Sequence, residues 1–180
     1  MTAGEDWQRE RLRDILVPGL KVVFVGVNPG RRSAEAGHHF AGPGNHFWRL
    51  LHDAGLTDRL LRPDQDGDLL LYGYGLTNIV GRPSRSESDL SRAEFERGAR
   101  ELRVKLQALG AGLVALLGKQ VYRAYAGLSP STAVDWGLQE ACVLRGPPVL
   151  VAPNPSARST VPYAERLCWF RLIGVLSEGS

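Results

Sequence analysis

Two Asn-Pro pairs stand far apart in the chain, each directly after a short apolar run: Asn28-Pro29 and Asn154-Pro155. In Gly26-Val27-Asn28-Pro29-Gly30 the proline pushes Asn28 towards an extended backbone. Its carboxamide can then leave the strand end instead of capping a helix, and the flanking glycines admit a ligand close to the main chain. A carboxamide oxygen can orient a water, although it is a poor proton acceptor. The same residues also fit a strand-end turn in which Asn28 bonds its own backbone. Phe40 stands between Gly37 and Gly42-Pro43, outside any periodic apolar stripe. Its ring is available to stack on a flat ligand such as an extruded base, or to anchor the loop in the core. The second loop, Asn154 to Thr160, surrounds one large cation with small polar residues. That suits a finger entering a duplex, with Arg158 filling the vacated space and the hydroxyls of Ser156 and Ser159 meeting phosphates. It suits equally a solvated loop whose arginine meets something acidic.

Other matches fail on spacing. Gly112 to Gln120 has five residues between its glycines where a phosphate loop needs four, and Gln120 stands where Ser or Thr would hold magnesium. Gly42-Pro43-Gly44 lacks the third glycine of a dinucleotide fingerprint. His38, His39, His46 and His52 share no helical face, so no metal is expected. Lys119 follows a strand end, where it is expected to meet a phosphate or a carboxylate and not to form a Schiff base.

The elements that must position these residues alternate. Trp7 to Leu16 carries charge and bulk at helical spacing up to Pro18-Gly19. Lys21 to Gly26 reads as a strand buried on both faces, and Val27 to Gly44 as a long loop. Asn45 opens a helix ending near Gly55. A helix over Asp66 to Tyr72, a strand over Gly75 to Val80 and a polar loop from Gly81 to Asp89 follow. Ser91-Arg92-Ala93-Glu94 is a capping box, predicting a helix to about Leu109. Gly112 to Leu117 is a strand and Lys119 to Tyr125 a short helix. Val143-Leu144 and Val149 to Ala152 flank Gly146-Pro147-Pro148 as a hairpin, and Tyr163 to Leu176 is the last helix. This alternation predicts an α/β fold, a three-layer α/β/α sandwich with a mostly parallel central sheet. Ligands in such sheets sit in loops beyond the carboxyl ends of the strands, where both Asn-Pro loops fall.

With 180 residues, 43% hydrophobic and 23% charged, residues 1–180 are expected to form one domain with a core that needs no crosslinks. Cys142 and Cys168 are too few for a four-cysteine metal site and read as reduced thiols. The acidic start (Glu5, Asp6) is not expected to be a signal peptide, and no apolar run approaches a membrane span. A soluble, cytoplasmic protein is expected. The net charge of +3 fits a nucleic-acid partner without requiring one.

Taken together, Gly26 to Gly30, Gly37-His38-His39-Phe40, Gly42 to Trp48, Leu117-Gly118-Lys119-Gln120 and Asn154-Pro155-Ser156 resemble the mismatch-specific uracil-DNA glycosylase and thymine-DNA glycosylase family. The resemblance runs from Pro18-Gly19-Leu20 through the last helix. It implies a glycosylase that flips uracil from mismatched duplex DNA, with thymine or modified pyrimidines as further candidates. It implies hydrolysis without metal or cofactor, a G·U or related mismatch as partner, no membrane, and a monomer. Asn28 takes the water-positioning place and Phe40 that of the residue stacking on the flipped base. Val27 falls where a backbone contacts uracil, and Ser33 where the family meets the C4–C5 edge; Asn78 joins these base-binding positions. Asn154, Ser156, Ala157, Arg158 and Ser159 match the insertion loop. There Ala157-Arg158 is more similar to the thymine-DNA glycosylase branch than to the Gly-Leu usual in the bacterial uracil branch. His38-His39 and Thr77-Asn78 lean the same way.

Because Asn28 cannot take a proton from water at neutral pH, a carboxylate nearby would help. Glu87 and Asp89 follow the second strand on the sheet edge where the site is expected, and Asp89 is the one assigned to water activation. Its other reading is a cap for the helix starting near Ser91. A non-catalytic module sensing mismatches or lesions would keep Arg158 but have no use for a pocket at Asn28 and Phe40.

Overall fold

The computed structural model describes residues 11–140 and 146–179. Five strands form one sheet: β1 (Val22–Gly26), β2 (Tyr74–Asn78), β3 (Leu113–Leu117), β4 (Gly137–Leu138) and β5 (Val149–Ala152), in the order β2-β1-β3-β5-β4. β2, β1, β3 and β5 run parallel, and β4 pairs antiparallel with β5. The helices are α1 (Arg31–Ala36), α2 (Phe47–Asp53), α3 (Arg92–Leu109), α4 (Lys119–Ala126) and α5 (Tyr163–Glu178).

The period of two along each strand splits the core between the sheet's faces. Val22 and Phe24 of β1, Leu113, Ala115 and Leu117 of β3, and Leu150 and Ala152 of β5 pack on one face against α2 and α5. Val23 and Val25, with Val114 and Leu116, pack on the other against Phe95, Ala99, Leu102 and Leu106 of α3 and Val121 and Tyr125 of α4. Both faces being covered, every residue of β1 and β3 is buried, which is why these strands read as unbroken apolar runs. The three-layer α/β/α sandwich is the fold expected. α3 comes so close to the end of β2 that a Cβ on Gly98 would stand 1.8 Å from the carbonyl oxygen of Ile79.

Several local expectations are corrected. Residues 11–16 of the first expected helix are not helical: Ile15 makes an antiparallel bridge to Leu76, exchanging both backbone hydrogen bonds at 2.9 Å. The exposed edge of β2 captures this segment despite its helical spacing; the Trp7 end of that helix lies outside the described residues. The loop from Val27 to Gly44 contains α1, closed at Gly37 by a left-handed turn. His46, not Asn45, is the residue before α2, although Asn45 Oδ1 accepts the Phe47 N–H at 2.9 Å. Residues 63–72 form a 3-10 helix instead of an α-helix, and another 3-10 turn closes residues 87–89 of the expected loop. β5 pairs with β4, two residues long and not foreseen; the Val143-Leu144 arm of the expected hairpin lies outside the described residues. The capping box at Ser91 is present, with Ser91 Oγ accepting the Glu94 N–H at 3.3 Å.

Candidate active site

The parallel strands end together: Gly26 is in register with Asn78, and Leu117 with Ala152. The loops after β1, β2, β3 and β5 therefore meet at one edge of the sheet, and that edge collects most of the residues singled out above.

Asn28 is half-buried, and its carboxamide has a determined orientation. The two N–H groups of Nδ2 are shared among three acceptors, the carbonyl oxygens of Pro29 (3.0 Å) and Arg82 (3.2 Å) and Ser84 Oγ (2.8 Å). A carbonyl can only accept. The single proton of Ser84 goes to the Ser86 carbonyl at 2.6 Å, so towards Asn28 that hydroxyl can only accept as well. All three neighbours thus select the nitrogen end. Oδ1 is turned away from them and has no hydrogen-bond partner among the described residues. The strand-end turn considered for Asn28 is present in the bond to Pro29, yet it uses only the nitrogen. Ser84 is buried, and its N–H donates to Pro29 O at 3.1 Å, so the loop after β2 is stitched to the loop after β1.

Phe40 is the one non-glycine with positive φ (52°) among the described residues, a conformation its surroundings must impose. Just before it, the His39 N–H donates to Asp66 Oδ2 (3.0 Å), and His39 Nε2 lies 3.0 Å from the Arg13 carbonyl. Because that partner only accepts, Nε2 carries the proton; burial holds the His39 pKa below its ordinary value. Just after it, the Ala41 N–H donates to Ser33 Oγ at 3.0 Å. The Phe40 ring then stacks on Phe47 (4.0 Å, 23°), which meets Phe24 of β1 edge-on at 5.4 Å. The side chain is partly buried and packs on the core with part of its surface open. The anchoring reading of Phe40 is thus present: the ring packs on the core, and the residue is only partly buried.

Gly26 and Asn78 lie beside Phe40. A Cβ at Gly26 would stand 2.5 Å from Asn78 Oδ1 and 3.5 Å from Phe40 Cζ. Val27 is buried at the end of β1, and its carbonyl accepts the Val80 N–H at 2.9 Å. Ser33 is buried on α1, where its hydroxyl oxygen serves the Phe40 loop. Asp89 is exposed; its Oδ2 accepts the Ser86 N–H at 2.9 Å and closes the 3-10 turn. It is joined to Asn28 through Ser86 and Ser84, while the cap of α3 is Ser91. Glu87, half-buried, has its carboxyl pushed up by burial alone.

The loop after β5 adjoins the first. The His46 N–H donates to the Pro155 carbonyl at 2.9 Å, and a Cβ at Gly44 would stand 3.1 Å from that of Ala157. Within it, Asn154 Oδ1 accepts the Ser156 N–H (2.9 Å), Ser156 Oγ the Arg158 N–H (3.2 Å) and Ser159 Oγ the Val161 N–H (3.4 Å). These short-range bonds shape a turn whose tip, Ala157 and Arg158, is exposed. The Arg158 guanidinium has no partner among the described residues. Lys119 meets no carboxylate among the described residues; its Nζ lies 4.5 Å over the Trp136 ring.

Cavity size points elsewhere. A cleft of about 240 Å³ lies between residues 79–83 and α3, lined by Arg11, Arg82, Glu94 and Glu101, and a smaller one beside it reaches Asn78. The larger cleft mixes charged side chains with Ile79, Val80, Pro83 and two glycines and has no aromatic wall, whereas Asn28 and Phe40 set a carboxamide and an aromatic ring beyond the ends of the strands. Among the described residues no group of three or more His, Cys, Asp or Glu is placed to hold a metal ion. Ser84 and Asp66 are the positioning residues missed by sequence reasoning. Nothing distinguishes Ser84 from Ser86 and Ser88, and Asp66 was read only as part of a helix.

Helices on both faces of a parallel sheet, with Asn28, Ser84 and the Phe40 ring beyond its carboxyl edge, place the chain among α/β proteins of the kind that take ligands at their strand ends. The family model of the uracil DNA glycosylase superfamily matches residues 14–173. The chain belongs to that superfamily: it is a DNA glycosylase, a hydrolase acting on uracil in DNA. No helix among the described residues is long and apolar enough to cross a membrane.

Proposed function

We propose that this glycosylase flips uracil out of mismatched duplex DNA, G·U pairs above all, and hydrolyses its bond to deoxyribose as a monomer without cutting the strand. Thymine and modified pyrimidines opposite guanine are the further substrates. The observation that carries the reading is the Asn28 carboxamide, locked by its nitrogen with Oδ1 free to hold a water. The flipped base stacks on Phe40, beside Val27, Ser33 and Asn78, while Asn154, Ser156, Ala157, Arg158 and Ser159 enter the duplex and Arg158 fills the gap.

The N1–C1′ bond breaks with its electron pair leaving on uracil, and the sugar gains cationic character that DNA phosphates favour. The held water closes its oxygen onto C1′ and gives up a proton. Asn28 cannot receive that proton, and Asp89 is assigned to it. Glu87 is the competitor, because burial raises its basicity and no partner engages its carboxylate among the described residues. Single-turnover uracil release from a G·U duplex tests the assignment. Asn28→Ala is expected to slow it on the order of 100-fold. A slowed Asp89→Asn beside an unaffected Glu87→Gln supports Asp89, and the reverse transfers the role to Glu87. A folded Asn28→Ala variant with the parent rate would end the water-holding role.

A further inference from the structure

Arg166 of α5 is 5% exposed, and no carboxylate pairs with it among the described residues. A buried guanidinium without a counter-ion costs stability unless something offsets it; here burial pulls its pKa below the ordinary value. Its Nε has no hydrogen-bond partner, and the bond that is made goes to the loop after β5: Nη1 donates to the Ser156 carbonyl at 3.3 Å. That carbonyl also accepts the Ser159 N–H at 3.0 Å, so it closes the turn that displays Ala157 and Arg158.

The guanidinium is held from the side by Tyr163. Arg166 lies 5.9 Å from the Tyr163 ring and Arg49 5.0 Å, while the His46 ring meets it edge-on at 5.3 Å. Tyr163 itself is fixed by donating its hydroxyl to Asp53 Oδ2 at 2.7 Å. The His46 backbone in turn holds Pro155. Two consecutive carbonyls at the base of the turn, Pro155 and Ser156, are thus held by His46, the residue before α2, and by Arg166 of α5.

We infer that Arg166 is a positioning residue for base extrusion: it holds the Ser156 to Ser159 turn in the shape that enters the duplex. This rests on the insertion-loop reading given above. Because it acts on entry into the duplex, its effect depends on whether the base is paired, which damage to the hydrolytic site would not.

Single-turnover uracil release is measured on a G·U duplex, the substrate proposed above, and on a single-stranded uracil oligonucleotide, with thermal unfolding in parallel. Arg166→Met, similar in length but with no donor, is expected to lose roughly ten-fold on the duplex, the scale of one hydrogen bond, and far less on the single strand. Arg166→Lys, which keeps a donor, recovers part of the loss. Equal losses on both substrates, or none on the duplex, would overturn the inference. If Arg166→Met does not fold, Arg166→Gln is read by the same ratio. Arg158→Ala separates the two levels. If it too loses equally on both substrates, the insertion-loop reading fails; if it is duplex-selective and Arg166→Met is not, only the role of Arg166 fails.

Discussion

Between Asn78 and Phe40 there is no room for even a methyl group at position 26. An alanine there meets the far end of a flexible carboxamide and the edge of a ring, so the fold can accommodate it by turning Asn78 aside. Gly26→Ala is therefore expected to leave thermal stability within about 1 kcal/mol while displacing the floor of the proposed base site. Misplacement on this scale costs roughly 100-fold in rate. Unfolding curves and single-turnover uracil release measure the two together; an unchanged rate would show that the base does not rest between Phe40 and Asn78. The residue types of this site were legible in the chain: Gly26-Val27-Asn28-Pro29-Gly30 announces a carboxamide at a strand end, and Phe40 an aromatic in a loop. What could not be read was direction. The orientation of Asn28 depends on Ser84, 56 residues away, and on which way one hydroxyl proton points. The positive φ of Phe40 depends on Asp66, Arg13 and Ser33, none adjacent to it in sequence.

The loop that carries Ser84 is tied to the start of α3. Arg82 Nε donates to Glu94 Oε1 at 2.7 Å and its Nη2 to the Asp89 carbonyl at 3.1 Å, while Glu94 also completes the capping box with Ser91. The Arg82 guanidinium and the Ser91 N–H hold the Glu94 carboxyl down to about 2. A carboxylate whose pKa falls on folding stabilises the native state above its unfolded value, near 4.3. That contribution disappears as pH drops from there through about 2. Arg82 is 42% exposed at its side chain, so screening limits the pair to on the order of 1 kcal/mol. Glu94→Gln is expected to flatten the fall in melting temperature between about pH 4.3 and 2; an unchanged acid limb would show that the pair contributes nothing. The capping box and its helix were legible because all their determinants are local. So were β1, β3 and β5, whose apolar runs leave little alternative. α1 was not: Arg31–Ala36 follows Asn-Pro-Gly and shows only Ser33 and Ala34 to the core, too short a stripe to register as periodic. Residues 11–16 failed for the opposite reason, since helical spacing there lost to an available strand edge at Leu76.

At the scale of the molecule, the sheet gathers four strand-end loops on one edge, the edge proposed to meet DNA. The formal net charge is only +3, too little for the summed field to bind a polyanion strongly by itself. Many of the arginines are also already engaged: Arg31 with Glu35, Arg49 with Asp53, Arg59 with Asp68, Arg82 with Glu94 and Arg92 with Glu96. Arg158, exposed at the tip of the turn and without a partner among the described residues, breaks no ion pair of theirs in meeting DNA. Affinity for a duplex should then rest on few charge contacts, each releasing counterions, and weaken with salt on a shallow logarithmic slope. If Arg158 sits among the phosphates, Arg158→Ala should reduce that slope by about 1. If it fills the space left by the flipped base, as proposed, the slope should stay nearly unchanged while affinity falls at every salt concentration. Titrating a duplex that carries a non-hydrolysable uracil nucleotide at several salt concentrations distinguishes these cases. A parallel loss of about one contact from the slope would move Arg158 from the vacated base position to the backbone, leaving Ala157 as the side chain that enters the stack.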